Sequence, residues 1–449
     1  MRRVLLIAFV YPPVENIGAV RPAALAKYLP RFGWEVLVLT AKVQEVSRQS
    51  KGVMETEYRD VLEDWKARLN LDQKASAHEQ FGLPFAKKPG AVLPHTRVIN
   101  FAKDLLTYPH PTKGWIPFAL AAIQGLHQQG CRFDAVISTS PPITNHLVAR
   151  QAKRMLGCPW IADLRDLWTQ NFTPNVSSIQ LWQTGLEKRT LSQANALVTV
   201  SEPWADRLRQ RYSTKPIYAI TNGFDPEDFA SRPPVTRSFS ITHPGFLYEG
   251  LRDPTLLFEV VRDLIKSGEM CADDIRIRFY GPKEPWLTPL VLRHGLEQVV
   301  EVFGSVPREQ ILQREMESQV LLLLGWNNPR EMGLHNGKLF EYLGAGRPIL
   351  ALFGSPGVMT EVLEETRAGA HIQNREELRR FLISAYSEYK RCGVVSYAGD
   401  SSAIARYSHS EMASRFADVL DGVSGTGETH QHARATGIDV EHDLSDQTL

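Results

Sequence analysis

Short apolar runs alternate with longer amphipathic stretches along most of the chain, and this rhythm limits the folds open to it. Val4–Phe9 reads as a buried strand. Arg21–Arg31 reads as a helix opened by Pro22 and ended at Gly33, and Glu35–Thr40 reads as the next strand. Ala135–Ser138, Trp160–Ala162 and Ala196–Val200 are again short and apolar, each followed by a polar loop and a helix-like segment. Such runs with helical crossovers build a parallel sheet covered on both faces. A second series starts near Phe239, with strands expected at Phe239–Thr242, Ile275–Tyr280, Val299–Phe303, Val320–Leu324, Ile349–Leu352 and Ala370–Ile372. Pro233-Pro234 marks the join. The expected organisation is α/β: two Rossmann-like, doubly wound parallel-sheet domains, residues 1–230 and 236–405. Residues 42–115 break the rhythm and read as an insertion. Residues 406–421 read as a closing helix, and the polar stretch 422–449 as a disordered tail.

Several functional classes fall away on composition. Fifty-one basic against fifty acidic residues leave a net charge of +1, which gives no electrostatic case for nucleic acid. Cys131, Cys158, Cys271 and Cys392 are isolated, so neither a zinc site nor a redox dithiol is expected, and a reducing cytosol fits. The opening MRRVLLIAFVYPP has an apolar run of only Val4–Val10 and no small-residue cleavage site, so a first strand is expected rather than a signal peptide. No apolar run approaches the roughly 20 residues of a membrane span. No GxxxxGK[ST], GxGxxG after the first strand, HExxH or GxSxG occurs.

In open α/β sheets ligands bind beyond the carboxyl ends of the strands, so the loops there hold the candidates. After the first strand, Gly18 precedes a helix and offers either a bare backbone to a ligand or a plain turn. After Ala162 comes DLRDLW, where Asp163, Arg165, Asp166 and Trp168 crowd a buried strand end, as a site or as a structural ion pair. After Thr242, Gly245 and Gly250 flank a loop ending in Arg252, a phosphate clamp or a solvated arginine. The fourth loop runs into GLHNGKLFEYLGAGRPILA. His335-Asn336-Gly337 leads into a helix that begins with Lys338. A cation there is unfavourable for the helix itself but fits an anion held between the ammonium and the free helical N–H groups.

Taken together, YPPVENIGAVRPAALAKYL, CPWIADLRDLW, LEKRTLSQANALVTVSE, ITNGFDPEDF, PGFLYEGLRDP and GKLFEYLGAGRPILA resemble the GT-B glycosyltransferases. Within them the chain is most similar to the retaining family-four group, and there to bacterial surface-polysaccharide transferases with a D-x-R-D-x-W segment. The likeness runs from Val4 to about Leu420 and implies two domains facing across a cleft. A nucleotide-diphosphate sugar, by family habit a UDP-sugar, would be a substrate rather than a cofactor, and no metal is expected. Of the family's Glu-x7-Glu pair, Glu341 matches the ribose-binding member. The first falls on Gly333, with Glu331 as the nearest substitute. The family's phosphate-binding arginine falls on Phe246 and its lysine on Leu251, so Arg252 and Lys338 replace them as catalytic cations. Gly18, Gly245, His335, Asn336, Gly337 and Glu341 are the donor-binding set, with Asp163, Arg165, Asp166 and Trp168 on the acceptor side. Arg165 stands where the family often has a histidine. The resemblance implies transfer with retention, with Asp163 or Asp166 as general base in an inverting alternative. An epimerase on this scaffold and a non-catalytic nucleotide-sugar binder are the other readings. A sugar or lipid-linked sugar acceptor places the chain in the cytoplasm, at the inner face of the membrane, with residues 92–120 read either as the membrane contact, through Trp115, Lys103 and Lys113, or as a helix and loop that cover the first domain.

Overall fold

A computed structural model describes residues 1–14, 16–43, 51–68, 101, 104–170, 179–325, 337–354 and 356–425. His335, Asn336, Glu331, Gly333, Lys103 and the expected tail beyond 425 lie outside them.

The first sheet contains β1 (Arg2–Ile7), β2 (Trp34–Ala41), β3 (Val53–Thr56), β4 (Ala135–Ser140), β5 (Trp160–Leu164), β6 (Ala196–Thr199) and β7 (Ile217–Ala219). Their spatial order is β3-β2-β1-β4-β5-β6-β7 and every pairing is parallel. The second contains β8 (Phe239–Pro244), β9 (Ile275–Tyr280), β10 (Val300–Gly304), β11 (Val320–Leu324), β12 (Ile349–Leu352) and β13 (Gly369–Ile372). Their order is β10-β9-β8-β11-β12-β13, again parallel. Strand order reverses between β1 and β4 in one sheet and between β8 and β11 in the other. Each reversal splays neighbouring loops apart at the carboxyl ends and opens a crevice.

Burial follows from the parallel topology. Val4–Ile7 and Leu321–Leu323 are wholly inaccessible because helices cover both faces. Two strands go beyond the sequence reading. Val53–Thr56 extends the first sheet at its edge, so part of the stretch 42–115 belongs to the sheet itself. Ile217–Ala219 closes the other edge with only three residues.

The helix His409–Val423 returns to the first domain. Met412, Ala413, Phe416, Ala417 and Leu420 share a core with Val4, Leu6, Ala24 and Leu25. Asp421 fastens its end, 2.7 Å from the Arg2 guanidinium and accepting from Trp34 Nε1 at 2.9 Å. The chain crosses between domains twice, and the two crossings touch. Phe224 pairs with Ser408, and Phe224 N donates to Tyr407 O at 3.1 Å.

The membrane contact expected at Trp115 and Lys113 is corrected. Trp115 has no exposed surface; its Nε1 donates to Thr56 Oγ1 at 2.7 Å and its ring meets Phe9 edge-on at 5.5 Å. Lys113 Nζ donates to the carbonyls of Leu106 and Tyr108 at 2.6 and 2.9 Å. A tryptophan beside a lysine here is core and clasp, because β3 needs a covering side chain.

Beneath the crevice His146 is wholly buried between Ser138 Oγ and Ser140 Oγ, each 2.8 Å from a ring nitrogen. Burial holds its pKa down at about 3, so it stays neutral in the fold. The folded state then binds fewer protons than the unfolded chain from pH 6.5 down towards 3, and acid favours unfolding across that window. Urea midpoints are expected to fall as pH drops from 7 to 5, at about 1.4 kcal/mol per pH unit below 6.5 for each histidine kept neutral. His146→Gln should show a shallower fall. An unchanged slope in that variant would mean that His146 protonates inside the folded protein.

Candidate active site

Both crevices open into one interdomain cleft. A cavity of about 480 Å³ adjoins another of about 620 Å³, and the two share Asn16, Ile17, Val20, Arg308, Glu341 and His409. Either volume lies within the ~300–1,000 Å³ usual for small-molecule sites.

The first-domain wall is made of strand ends. Phe9 and Val10 follow β1, Pro141 and Pro142 follow β4, and Arg165 and Asp166 follow β5. Arg165 ties these loops together. Its NH1 donates to Gly18 O at 2.7 Å, its NH2 to Pro141 O at 2.6 Å and its Nε to Ser140 O at 3.2 Å. A Cβ at Gly18 would stand 3.2 Å from Arg165 NH1 and 2.9 Å from Asn16 Oδ1, so a larger residue there would displace these two side-chain ends. Gly18 N also donates to Asn16 Oδ1, the cap of its helix, at 2.7 Å. So Gly18 and Arg165 both line the cleft, but the bare backbone of Gly18 is met by Arg165. Asp166 lines the cavity beside them, with burial pushing its carboxyl pKa up.

Two acceptor-side expectations change. Asp163 has no exposed surface, and it accepts from Arg21 Nε and NH2, both at 3.0 Å, and from Thr139 Oγ1 at 2.7 Å. It stands behind the cleft wall, out of reach of a substrate. Trp168 donates from Nε1 to Gln183 Oε1 at 3.0 Å and packs against the first-domain core.

The second-domain wall carries the charge. The helix Gly337–Ala345 points its N-terminus into the cleft, and Gly337, Lys338 and Glu341 line the cavities. Lys338 Nζ lies on Glu341 Oε2 at 2.6 Å, one turn along, rather than over the helix end. Arg308 approaches Glu341 Oε1 from the other side at 3.4 Å and pairs with Asp228 at 2.9 Å. Arg308 was not foreseen. The available signal was a cation opening the helix Arg308–Glu317 directly after Pro307, the same oddity that drew attention to Lys338. Gly245 follows β8 with φ 128°, and its N–H donates to Tyr280 O at 2.6 Å. That turn presents Phe246 to the cleft. Arg252 stands further back, with its guanidinium 5.6 Å from the Tyr248 ring.

Residues 18–223 match the family model described as a glycosyl transferase 4-like domain. The fold is that of the GT-B glycosyltransferases. No curated protein sequence matches it. Solved structures share the two-domain fold at low identity. Anabaena Alr3699/HepE, in complex with UDP and glucose, is 13% identical with a TM-score of 0.58, covering 94% of this chain and 100% of that one. The pneumococcal O-GlcNAc transferase GtfA, in complex with UDP and GlcNAc, is 10% identical at a TM-score of 0.55, covering 94% and 99%. Sucrose-phosphate synthase from Thermosynechococcus elongatus is 14% identical at 0.54, covering 97% and 100%.

The protein should lose stability when the Arg21–Asp163 pair is broken. Asp163→Ala strands a buried guanidinium and is expected to cost roughly 3–5 kcal/mol in urea unfolding. Retained stability with lost turnover would return Asp163 to an acceptor role.

Proposed function

We propose that this transferase moves a sugar from a nucleoside-diphosphate sugar, with UDP as carrier, to an acceptor hydroxyl, retaining the anomeric configuration and using neither metal nor cofactor. The observation that carries this reading is the cluster of Lys338, Glu341 and Arg308 at a helix N-terminus, facing the strand-end loops of the first domain.

Bond cleavage leaves negative charge on the departing diphosphate. Helical N–H groups and nearby cations placed in advance stabilise that charge without rearranging. Lys338 and Arg308 are cations on the second-domain side of the cleft, and Arg252 adds positive charge from the loop after β8. Glu341 accepts hydrogen bonds from the ribose hydroxyls. These roles supply the charge neutralisation that a divalent cation would otherwise bring. On the opposite wall Asp166 and Arg165 border the acceptor. The retaining reaction needs no protein base. An inverting reaction would use Asp166, the carboxylate of the first-domain wall, and the anomer of the product decides between them.

The donor reading is tested by kinetics on a panel of labelled nucleotide sugars. Glu341→Gln should fold normally and lose about tenfold or more in kcat/KM for donor, since a hydrogen bond to a charged group is worth roughly 1.5–3 kcal/mol. EDTA should leave turnover unchanged. Wild-type donor kinetics in the variant would remove the ribose role, and activity lost in EDTA and restored by magnesium would overturn the metal-free reaction. Isomerised donor without transfer would make the protein an epimerase.

The acceptor we propose is a lipid-linked sugar of a surface polysaccharide, lipopolysaccharide or exopolysaccharide, reached at the cytoplasmic face of the membrane. No helix among the described residues is long and apolar enough to span a bilayer. Contact would be peripheral, and exposed apolar side chains gather near one another to make it. Leu181 is 86% and Trp182 55% exposed, Trp182 meets the Tyr108 ring at 6.2 Å, and Leu105 is exposed beside Tyr108. An indole favours the headgroup level. Wild type should float with anionic liposomes, and Leu181→Ser with Trp182→Ser should lower the bound fraction about tenfold, as expected when two apolar side chains stop inserting. Equal flotation of the two proteins, or none by wild type, favours a soluble acceptor.

A further inference from the structure

Glu315, on the helix Arg308–Glu317, has no exposed surface, and neither carboxylate oxygen has a hydrogen-bond partner among the described residues. Its nearest cation is Lys338, whose Nζ stands 3.7 Å from Oε1. The same ammonium lies 2.6 Å from Glu341 Oε2. One ammonium therefore stands between two carboxylates, one lining the cleft and one sealed behind it. A buried carboxylate without hydrogen bonds keeps its charge only at high cost, and here the neighbouring ammonium carries most of the compensation.

We propose that Glu315 is a positioning residue of the donor site, sharing the Lys338 ammonium with Glu341 and taking up a proton from solvent when a bound diphosphate draws that ammonium towards the helix N-terminus. This rests on the donor reading above. With the proton taken up, Glu315 is neutral, so the withdrawn lysine leaves no uncompensated charge in the core. When the diphosphate departs, the proton is released and the carboxylate reclaims the ammonium.

The surrounding groups fit this exchange. Facing Glu315 and Lys338 are Glu341 and Tyr342 from the helix Gly337–Ala345, Arg308 from Glu315's own helix, and His243 from β8. Asp228 holds the far side of Arg308 at 2.9 Å. Burial and the Glu341 charge push the Glu315 carboxyl up, while Lys338 and Arg308 pull it down. Removing Lys338 and bringing in phosphate charge both raise it further, so the bound state holds more protons and affinity falls as pH rises. His243 is the competing proton acceptor. Its Nδ1 is 2.9 Å from Leu322 O, its Nε2 is buried without a hydrogen bond, and burial lowers its pKa to about 4.

Calorimetry of UDP binding at pH 8.5, above the value of about 8 to which burial and the Glu341 charge push the Glu315 carboxyl in the free protein, run in Tris and in Bicine, counts the protons exchanged. Wild type should take up more protons than Glu315→Gln, by up to about one per UDP. Titration of the diphosphate itself cancels in that difference. Uridine, which lacks the diphosphate, should show no difference between the two proteins. Lys338→Met should bind UDP more weakly and match Glu315→Gln in proton count, which keeps the test available if the glutamine variant does not fold. His243→Gln should keep the uptake. Equal proton counts in wild type and Glu315→Gln, or an uptake that vanishes in His243→Gln, would overturn the role of Glu315 while leaving the donor reading intact. Failure of wild type to bind UDP, GDP, ADP, CDP or dTDP would overturn the donor reading and this inference with it.

Discussion

The buried pair between Arg21 and Asp163 holds the architecture together at the point where three parts of the chain meet. Arg21 donates to both carboxylate oxygens of Asp163 at the end of β5, to the carbonyls of Ile220 and Thr221 where the chain leaves the first domain, and to Asn222 Oδ1. Its guanidinium also lies 5.1 Å from the ring of Phe416, on the helix that returns. A buried ion pair is tolerable only when the remaining donors and acceptors are satisfied, and here the guanidinium fork is met on every side. The cleft wall, the exit and the return are thereby fixed to one planar group.

The opposite wall is built on the contrary principle. Lys338, Arg308, Glu341 and Glu315 are close enough to neutralise one another, yet one of the carboxylates lacks hydrogen bonds. Such a cluster is rearrangeable, because Lys338, Arg308 and Glu341 each have a second partner within reach. A satisfied pair suits a hinge, where position must not change. An unsatisfied cluster suits a pocket that admits and releases a highly charged molecule.

Much of the fold was legible because buried parallel strands must be apolar on both faces, and runs such as Val320–Leu324 have few other uses. The strands that escaped, Val53–Thr56 and Ile217–Ala219, are short edge strands whose composition carries little signal. The site was legible in its loops and less so in its partners. Gly18, Arg165, Asp166, Gly337 and Glu341 all reach the first cavity. The partner of Asp163 is not legible in DLRDLW, because Arg21 lies 142 positions away in sequence. Glu315 is embedded in the charged run REMESQ, which reads as a solvated helix face until the packing of the helix Gly337–Ala345 against it is known. Trp115 misled for a similar reason, since an indole among lysines has the same appearance in a core as at a lipid surface.

The contact between Phe224 and Ser408 has a topological consequence. Because the helix His409–Val423 is part of the first domain's core, the segment between these two residues leaves and re-enters its host at one place. The second domain is in effect a long guest loop whose ends are already joined. Its neck is a pair of adjacent backbone segments, and such a neck permits bending and twisting while resisting separation. A rotation of the two walls about this waist would leave the register of both sheets undisturbed.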